Sequence, residues 1–209
     1  GGNWPTYYSK AKGITVWGID KKKYLDFTMV GVGTSVLGYS DPDVNSMAIN
    51  SVNASPMNTL NVPEDVELAE LLLKIHPWAE NVRYCRTGGE TMSAAIRLAR
   101  AYNKRDKILF CGYHGWHDWY ISSNLSDINN LNNHLFSGLE PHGVSAELSN
   151  TSIPFKYNDT DNFISLFEKN IDDLAAVIME PLRSDKPNHE FLMTIRDKTE
   201  KYNIPLIFD

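Results

Sequence analysis

Three consecutive residues, Thr87-Gly88-Gly89, have the types and spacing that can bind an anion. They stand between a run with strand character, residues 81–85, and a helical run, residues 91–102. A glycine pair at such a turn lets backbone N–H groups approach an anion, and the dipole of the helix adds partial positive charge there. Taken alone, the turn could also be an ordinary connection between a strand and a helix.

A second group of residues follows the next predicted strand, residues 107–110, and reads Gly112-Tyr113-His114-Gly115. The carboxyl ends of parallel strands meet at one edge of a sheet, where open α/β sheets bind ligands. An anion-binding turn beside a flat aromatic ring indicates a phosphorylated, planar ligand. Taken alone, Tyr113 could also be a core residue. The histidines in residues 114–118 have no second ligand cluster with recognisable spacing, so no metal site is predicted.

Five motifs in order along the chain resemble the class-III pyridoxal-phosphate-dependent aminotransferases, most closely their glutamate-1-semialdehyde aminomutase branch. The resemblance covers nearly the whole chain and is weakest between about residues 120 and 155. It corresponds to the N-terminal half of such a protein. The motifs lie in residues 16–27, 37–42, 83–115, 176–181 and 205–209.

The resemblance implies pyridoxal 5′-phosphate as the cofactor. Thr87, Gly88 and Gly89 would bind its phosphate, and Tyr113 would stack on its ring with His114 beside it. The family usually carries a hydroxyl residue where Gly89 stands. Its loss removes one possible hydrogen bond to the phosphate but leaves the backbone donor.

Two acidic residues at strand ends are the predicted catalytic groups. The Asp209 carboxylate follows an apolar strand and needs a partner, which the protonated ring nitrogen of the cofactor would supply. Glu180 ends the preceding strand and would lie close to the same cofactor, or it could simply cap the strand. The Schiff-base lysine of the family is expected beyond Asp209, so residues 1–209 alone should be inactive.

The function that the resemblance implies is transfer of an amino group between a small-molecule donor and a carbonyl acceptor by ping-pong chemistry, in a homodimer. The aminomutase branch usually has a bulky aromatic where Val32 stands, so a plain aminotransferase is the first prediction. The alternatives are a 2,1-aminomutase of the glutamate-1-semialdehyde type and a non-catalytic homologue that serves binding or assembly.

The order of the predicted elements favours an α/β fold. Short apolar strands alternate with helices, which is typical of a mostly parallel sheet with flanking helices, here resembling fold-type-I enzymes. Residues 1–40, with a β-hairpin in residues 14–27, are predicted to be part of a small N-terminal domain. Residues 41–209 would be the first half of a large cofactor-binding domain, and the abrupt end at a core strand indicates a truncated chain.

Composition excludes several other classes of protein. The chain is 42% hydrophobic and 22% charged, which is sufficient for a core, and its net charge of −6 with scattered basic residues disfavours nucleic-acid binding. No apolar run is long enough to cross a membrane. Cys85 and Cys111 are predicted to be buried, reduced thiols, which favours the cytoplasm.

Residues 124–150 are rich in Asn and Ser and are predicted to be a loop, either near the active site or an inert insertion.

Overall fold

A computed structural model describes residues 4–54, 59–134 and 137–209. The chain forms two compact units, residues 1–82 and residues 83–209. The predicted domain boundary after residue 40 concerns the arrangement of the whole family fold, and it stays a prediction.

The first unit contains an antiparallel sheet of three strands in sequential order: β1 (Tyr8–Lys12), β2 (Thr15–Gly18) and β3 (Lys23–Leu25). The hairpin predicted in residues 14–27 is therefore present as β2 and β3. Two helices follow, α1 (Pro42–Asn53) and α2 (Pro63–Ile75).

The start of α1 follows from its first residues. The Asp41 side chain accepts hydrogen bonds from the backbone N–H groups of Asp43 and Val44, each at 3.1 Å, and proline occupies the first helical position. An Asp cap satisfies N–H groups that have no partner inside the helix, and proline has no N–H to satisfy. The sequence predicts both features, and the structure confirms them.

The second unit contains four further strands, β4 (Lys107–Cys111), β5 (Ser152–Pro154), β6 (Leu174–Met179) and β7 (Leu206–Phe208). They form a parallel sheet in the order β5-β4-β6-β7. The helices are α3 (Gly88–Asn103), α4 (Asp118–Ile121), α5 (Ser123–Ser126), α6 (Thr160–Asn170) and α7 (His189–Lys201), with a 3₁₀ turn at Ala146–Leu148. The α/β fold with a parallel sheet is confirmed.

The alternation of side chains along the central strands creates two apolar layers. Ile108 and Phe110 of β4 pack with Ile96 of α3 on one side of the sheet. Leu109 and Cys111 pack on the other side, where phenylalanines of α6 and α7 complete a second cluster. Helices therefore cover both faces, so every residue of β6 is buried.

Two local predictions are wrong. Residues 81–85 form no strand, because they pair with none of the described strands and a strand needs a pairing neighbour. Cys85, in that run, is exposed, whereas Cys111 is buried as predicted. The predicted loop at residues 124–150 is mostly irregular in its described residues, apart from the end of α5 and the 3₁₀ turn, and its residues 135 and 136 lie outside the described residues.

Two neighbouring positions of α3 test how much the sheet-facing side of this helix stabilises the second unit. Ile96 is 2% exposed and Leu98 is 67% exposed. We expect Ile96→Ala to lower the free energy of unfolding by about 2–5 kcal/mol, because it removes buried methyl groups and leaves a cavity.

Leu98→Ala is the matched control on the same helix and should change the free energy of unfolding by less than about 0.5 kcal/mol. Urea unfolding of both variants measures the difference. Equal effects of the two substitutions would contradict the packing of α3 on the sheet.

Candidate active site

The ends of three parallel strands form a row at one edge of the sheet. Cys111 of β4 is in register with Met179 of β6, which is in register with Phe208 of β7. The next residues, Glu180 and Asp209, donate their backbone N–H groups to Cys111 and Met179 at 3.0 and 3.1 Å. The pairing thus continues one residue beyond each strand and places polar side chains side by side.

The N-terminus of α3 lies at the same site. Thr87 is the N-cap, and its hydroxyl oxygen accepts the N–H of Glu90 at 3.2 Å. The Glu90 carboxylate in turn accepts the N–H of Arg86 at 3.0 Å, which closes a reciprocal cap. The Thr87 hydroxyl keeps its proton for another acceptor, and Gly88 and Gly89 are the first two helical residues, whose N–H groups have no acceptor inside a helix.

These elements enclose a cavity of about 1050 Å³. All the residues predicted to bind the cofactor or to act in catalysis line it, although they are distant in sequence. They are Thr87, Gly88, Gly89, Tyr113, His114, Glu180 and Asp209. In the part of the chain that the structure describes, no group of His, Cys, Asp and Glu side chains could hold a metal ion.

Asp209 is held by a buried imidazole. Nδ1 of His114 lies 2.8 Å from Oδ2 of Asp209, and Nε2 lies 3.2 Å from the carbonyl oxygen of Cys111. A carboxylate oxygen accepts, so Nδ1 of His114 carries the hydrogen of the shorter contact and donates it to Asp209. The His114 side chain is 0% exposed and that of Asp209 is 28% exposed. The imidazole therefore orients the carboxylate from inside the protein.

Glu180 has a fixed position and a charged partner. Its Oε2 lies 2.9 Å from Nε of Arg183 and accepts the N–H of Tyr113 at 3.4 Å. Gly112 has a φ of +119°, and a Cβ there would lie 2.5 Å from the same oxygen. Glycine is therefore required at position 112, both for the backbone conformation and for the space that Glu180 occupies.

Tyr113 presents a ring bounded by other aromatic groups. Its centroid is 5.9 Å from those of Trp116 and Tyr120, both in edge-on geometry. Burial, with a smaller contribution from Asp209, raises the pKa of the Tyr113 hydroxyl. The edge contacts fix the plane of the ring. The raised pKa keeps the phenol in its neutral form at neutral pH.

A buried histidine supports the turn after β4. Nδ1 of His134 accepts the N–H of Gly112 at 3.1 Å. Burial, and then the positive charge of Arg183, lowers the pKa of His134 to about 4. Arg183 also donates to the carbonyl oxygens of Asn133 and His134, at 3.3 and 3.0 Å. The segment before residue 135 is thus tied to the site by an uncharged imidazole and a guanidinium.

Two other buried groups beneath the cavity stay protonated. Burial raises the pKa of the Cys111 thiol to about 11 and also raises that of the Tyr120 hydroxyl. The Tyr120 hydroxyl donates to the carbonyl oxygen of Gly112 at 2.9 Å. Cys111 is therefore a packing residue and not a nucleophile.

Sequence reasoning missed Arg183, His134, Tyr120 and His117 as residues of the site. Two of them could have been found from their position in the sequence. Arg183 lies three residues after Glu180, and His117 lies three residues after His114. His134 and Tyr120 reach the site through the path of the loop after α4, which no periodic pattern marks.

The structure is an α/β domain with a cavity at the carboxyl edge of its parallel sheet and a helix N-terminus at that cavity. The chain belongs to the class-III aminotransferase family, whose model matches residues 1–209. It is 32% identical to a glutamate-1-semialdehyde 2,1-aminomutase of Polynucleobacter asymbioticus, over all of this chain and 49% of that protein. The chain spans about half the length of the curated relatives it matches.

Solved structures show the same fold. A transaminase with PLP bound superimposes with a TM-score of 0.87 at 24% identity, over 100% of this chain and 49% of that one. An omega-transaminase from Sphaerobacter thermophilus gives a TM-score of 0.84 at 25% identity, with the same coverage of both chains. None of the helices in the described ranges is both long and apolar enough to cross a lipid bilayer.

The pKa of His134 predicts a dependence of stability on pH. In the folded protein it is about 4, compared with 6.5 for an ordinary histidine. Below pH 6.5 the unfolded chain binds a proton at this position that the folded chain does not bind. The free energy of unfolding should therefore fall by roughly 2 kcal/mol between pH 6.5 and pH 5 because of this residue.

His134→Gln keeps an acceptor for Gly112 but cannot be protonated in this range, so it isolates this contribution. Urea unfolding at several pH values should give a shallower decline for the variant than for the unchanged protein. Parallel profiles would show that His134 is not a buried neutral imidazole.

Proposed function

We propose that the protein carrying this chain uses pyridoxal 5′-phosphate to move an amino group between small molecules. The observation that carries the proposal is the convergence of an anion-binding helix terminus, an aromatic ring and a carboxylate on one cavity. These are the groups that a phosphate, a planar ring and a ring nitrogen need.

The residues present fit the cofactor. A Cβ on Gly88 would meet no described atom within 4 Å, so the space beside the first turn of α3 is open to a phosphate. The Thr87 hydroxyl and the N–H groups of Gly88 and Gly89 would bind that phosphate, where the helix dipole favours negative charge. The cavity of about 1050 Å³ also leaves room for a substrate.

Tyr113 and Asp209 would hold the ring. The aromatic face of Tyr113 would stack on it, and the Asp209 carboxylate would accept a hydrogen bond from the ring nitrogen. Among the described residues, only Oδ2 of Asp209 is engaged, by His114, so Oδ1 remains for the ring nitrogen. When bound, the cofactor supplies an electron-accepting ring that stabilises negative charge at the substrate carbon.

Asp209 and Glu180 would have different roles. Asp209 keeps a proton on the ring nitrogen, because its negative charge stabilises the cationic form of the ring. Glu180 is already paired with Arg183. It therefore places a carboxylate at a fixed position beside Gly112, which limits where a substrate carboxylate can lie.

A plain aminotransferase is the first candidate, since Val32 departs from the aminomutase pattern. The names of the relatives favour the second candidate, a 2,1-aminomutase. The two differ in a single assay with glutamate-1-semialdehyde and the PLP-loaded, full-length protein. An aminomutase returns the isomer with the amino group on the adjacent carbon and needs no second substrate, whereas an aminotransferase needs a separate carbonyl acceptor.

The remaining expectations are proposals that follow from the resemblance. We expect a homodimer, which light scattering tests through the mass in solution. Location in the cytoplasm is consistent with the two free cysteines at positions 85 and 111.

The catalytic lysine is expected outside residues 1–209, so these residues alone should show no turnover. A full-length protein that binds PLP without turnover on any donor would support the binding homologue.

Replacing Asp209 separates cofactor binding from chemistry. Asp209→Ala retains the phosphate and stacking groups, so the affinity for PLP should fall by no more than about tenfold. The ring nitrogen loses its counter-charge, and turnover should fall by roughly a hundredfold or more. Equilibrium dialysis measures the affinity, and single-turnover kinetics measure the rate.

Asp106→Ala is the matched control, because this exposed aspartate precedes β4 at the opposite edge of the sheet. It should leave both quantities unchanged. Near-normal turnover of Asp209→Ala would show that the ring nitrogen of the cofactor does not bind at Asp209, and the proposed function would have to be withdrawn.

A further inference from the structure

Two glycine backbones meet where the loop after β4 passes the N-terminus of α3. Gly115 has a φ of +94°, and a Cβ there would lie 2.7 Å from Cα of Gly89. Real Cβ atoms do not approach another carbon so closely, so this contact needs glycine at position 115. The close approach brings the residues that follow Gly115 to the first turn of the helix.

The absence of a side chain at Gly89 makes room for an imidazole. A Cβ on Gly89 would lie 2.7 Å from Cδ2 and 2.9 Å from Nε2 of His117. The latter distance is about two covalent bond lengths. Nε2 of His117 therefore occupies the region that the end of a small side chain at position 89 would occupy. A side chain at position 89 and the imidazole in this position exclude each other.

The His117 ring is not committed to another partner. Within residues 4–54, 59–134 and 137–209, its nitrogens form no hydrogen bond or ion pair, in contrast to those of His114 and His134. Its backbone, however, is fixed, because its carbonyl oxygen accepts the N–H groups of Tyr120 and Ile121 at 2.9 and 3.1 Å. The side chain lines the same cavity as Thr87 and Gly88.

We propose that His117 is a phosphate ligand that takes over the position of a side chain at residue 89. Its Nε2–H would donate to a phosphate oxygen of the cofactor, next to the N–H groups of Gly88 and Gly89. A hydrogen bond to a charged phosphate is stronger than one between neutral groups. The proposal rests on the proposed function, and under it the imidazole supplies the hydrogen bond that a hydroxyl at position 89 would otherwise supply.

The first experiment compares pyridoxal 5′-phosphate with pyridoxal, which lacks the phosphate, by equilibrium dialysis against the full-length protein. His117→Ala should lower the affinity for pyridoxal 5′-phosphate by roughly tenfold or more and leave that for pyridoxal unchanged. His117→Gln, which keeps a donor, should recover part of the loss. His142→Ala is the matched control, because this exposed histidine is paired with Glu140 away from the cavity.

The second experiment tests the mutual exclusion. Gly89→Thr alone should lower the affinity for pyridoxal 5′-phosphate, because the threonine and the imidazole compete for one space and neither can then reach the phosphate in its binding position. The double variant Gly89→Thr/His117→Ala should bind it within about threefold of the unchanged protein, because the threonine hydroxyl then has the space. Circular dichroism checks folding, and the double variant decides the outcome if Gly89→Thr misfolds.

The outcomes distinguish the two proposals. If the unchanged protein binds no pyridoxal 5′-phosphate, the proposed function fails and the role of His117 fails with it. If it binds the cofactor but His117→Ala affects both ligands equally, or neither, only the role of His117 is overturned. A double variant no better than the worse single variant also overturns it.

Discussion

The register of three parallel strands is the constraint on which the site depends. Cys111, Met179 and Phe208 lie opposite one another, so the residues after them stand in a row with the spacing of hydrogen-bonded strands, about 4.8 Å. A slip of one residue in β6 would turn Glu180 to the other face of the sheet and exchange the side chains of β6 between the two apolar clusters, which they fill in the present register. The apolar pattern of the strands therefore specifies the position of the acidic groups.

Each acidic group at this edge has a hydrogen-bonded partner within the chain. Asp209 is bonded to His114, and Glu180 is paired with Arg183. Because one partner is a buried imidazole and the other a guanidinium bonded to two backbone carbonyls, the two carboxylates are held separately and at fixed angles.

Much of this arrangement could be predicted from the sequence. The alternation of strands and helices, the hairpin of β2 and β3, the cap at Asp41 and the convergence of residues 87–89, 113, 180 and 209 follow from hydrophobic patterns, capping residues and strand order. Residues 81–85 show the limit, since β propensity cannot indicate whether a pairing partner is available. His134 shows another, because its contact with Gly112 depends on the path of an aperiodic loop. The proximity of His117 to Gly89 could not be predicted either, because it depends on how closely the backbones at Gly89 and Gly115 approach each other.

The last strand of the sheet has a practical consequence. β7 contains three residues, it lies at the edge of the described sheet, and Phe208 is 55% exposed. An uncovered edge with an apolar side chain offers free N–H and C=O groups to any other strand, including the same strand of another molecule. Residues 1–209 produced on their own should therefore tend to aggregate at this edge, and solubility should improve when a further segment or a charged substitution protects it.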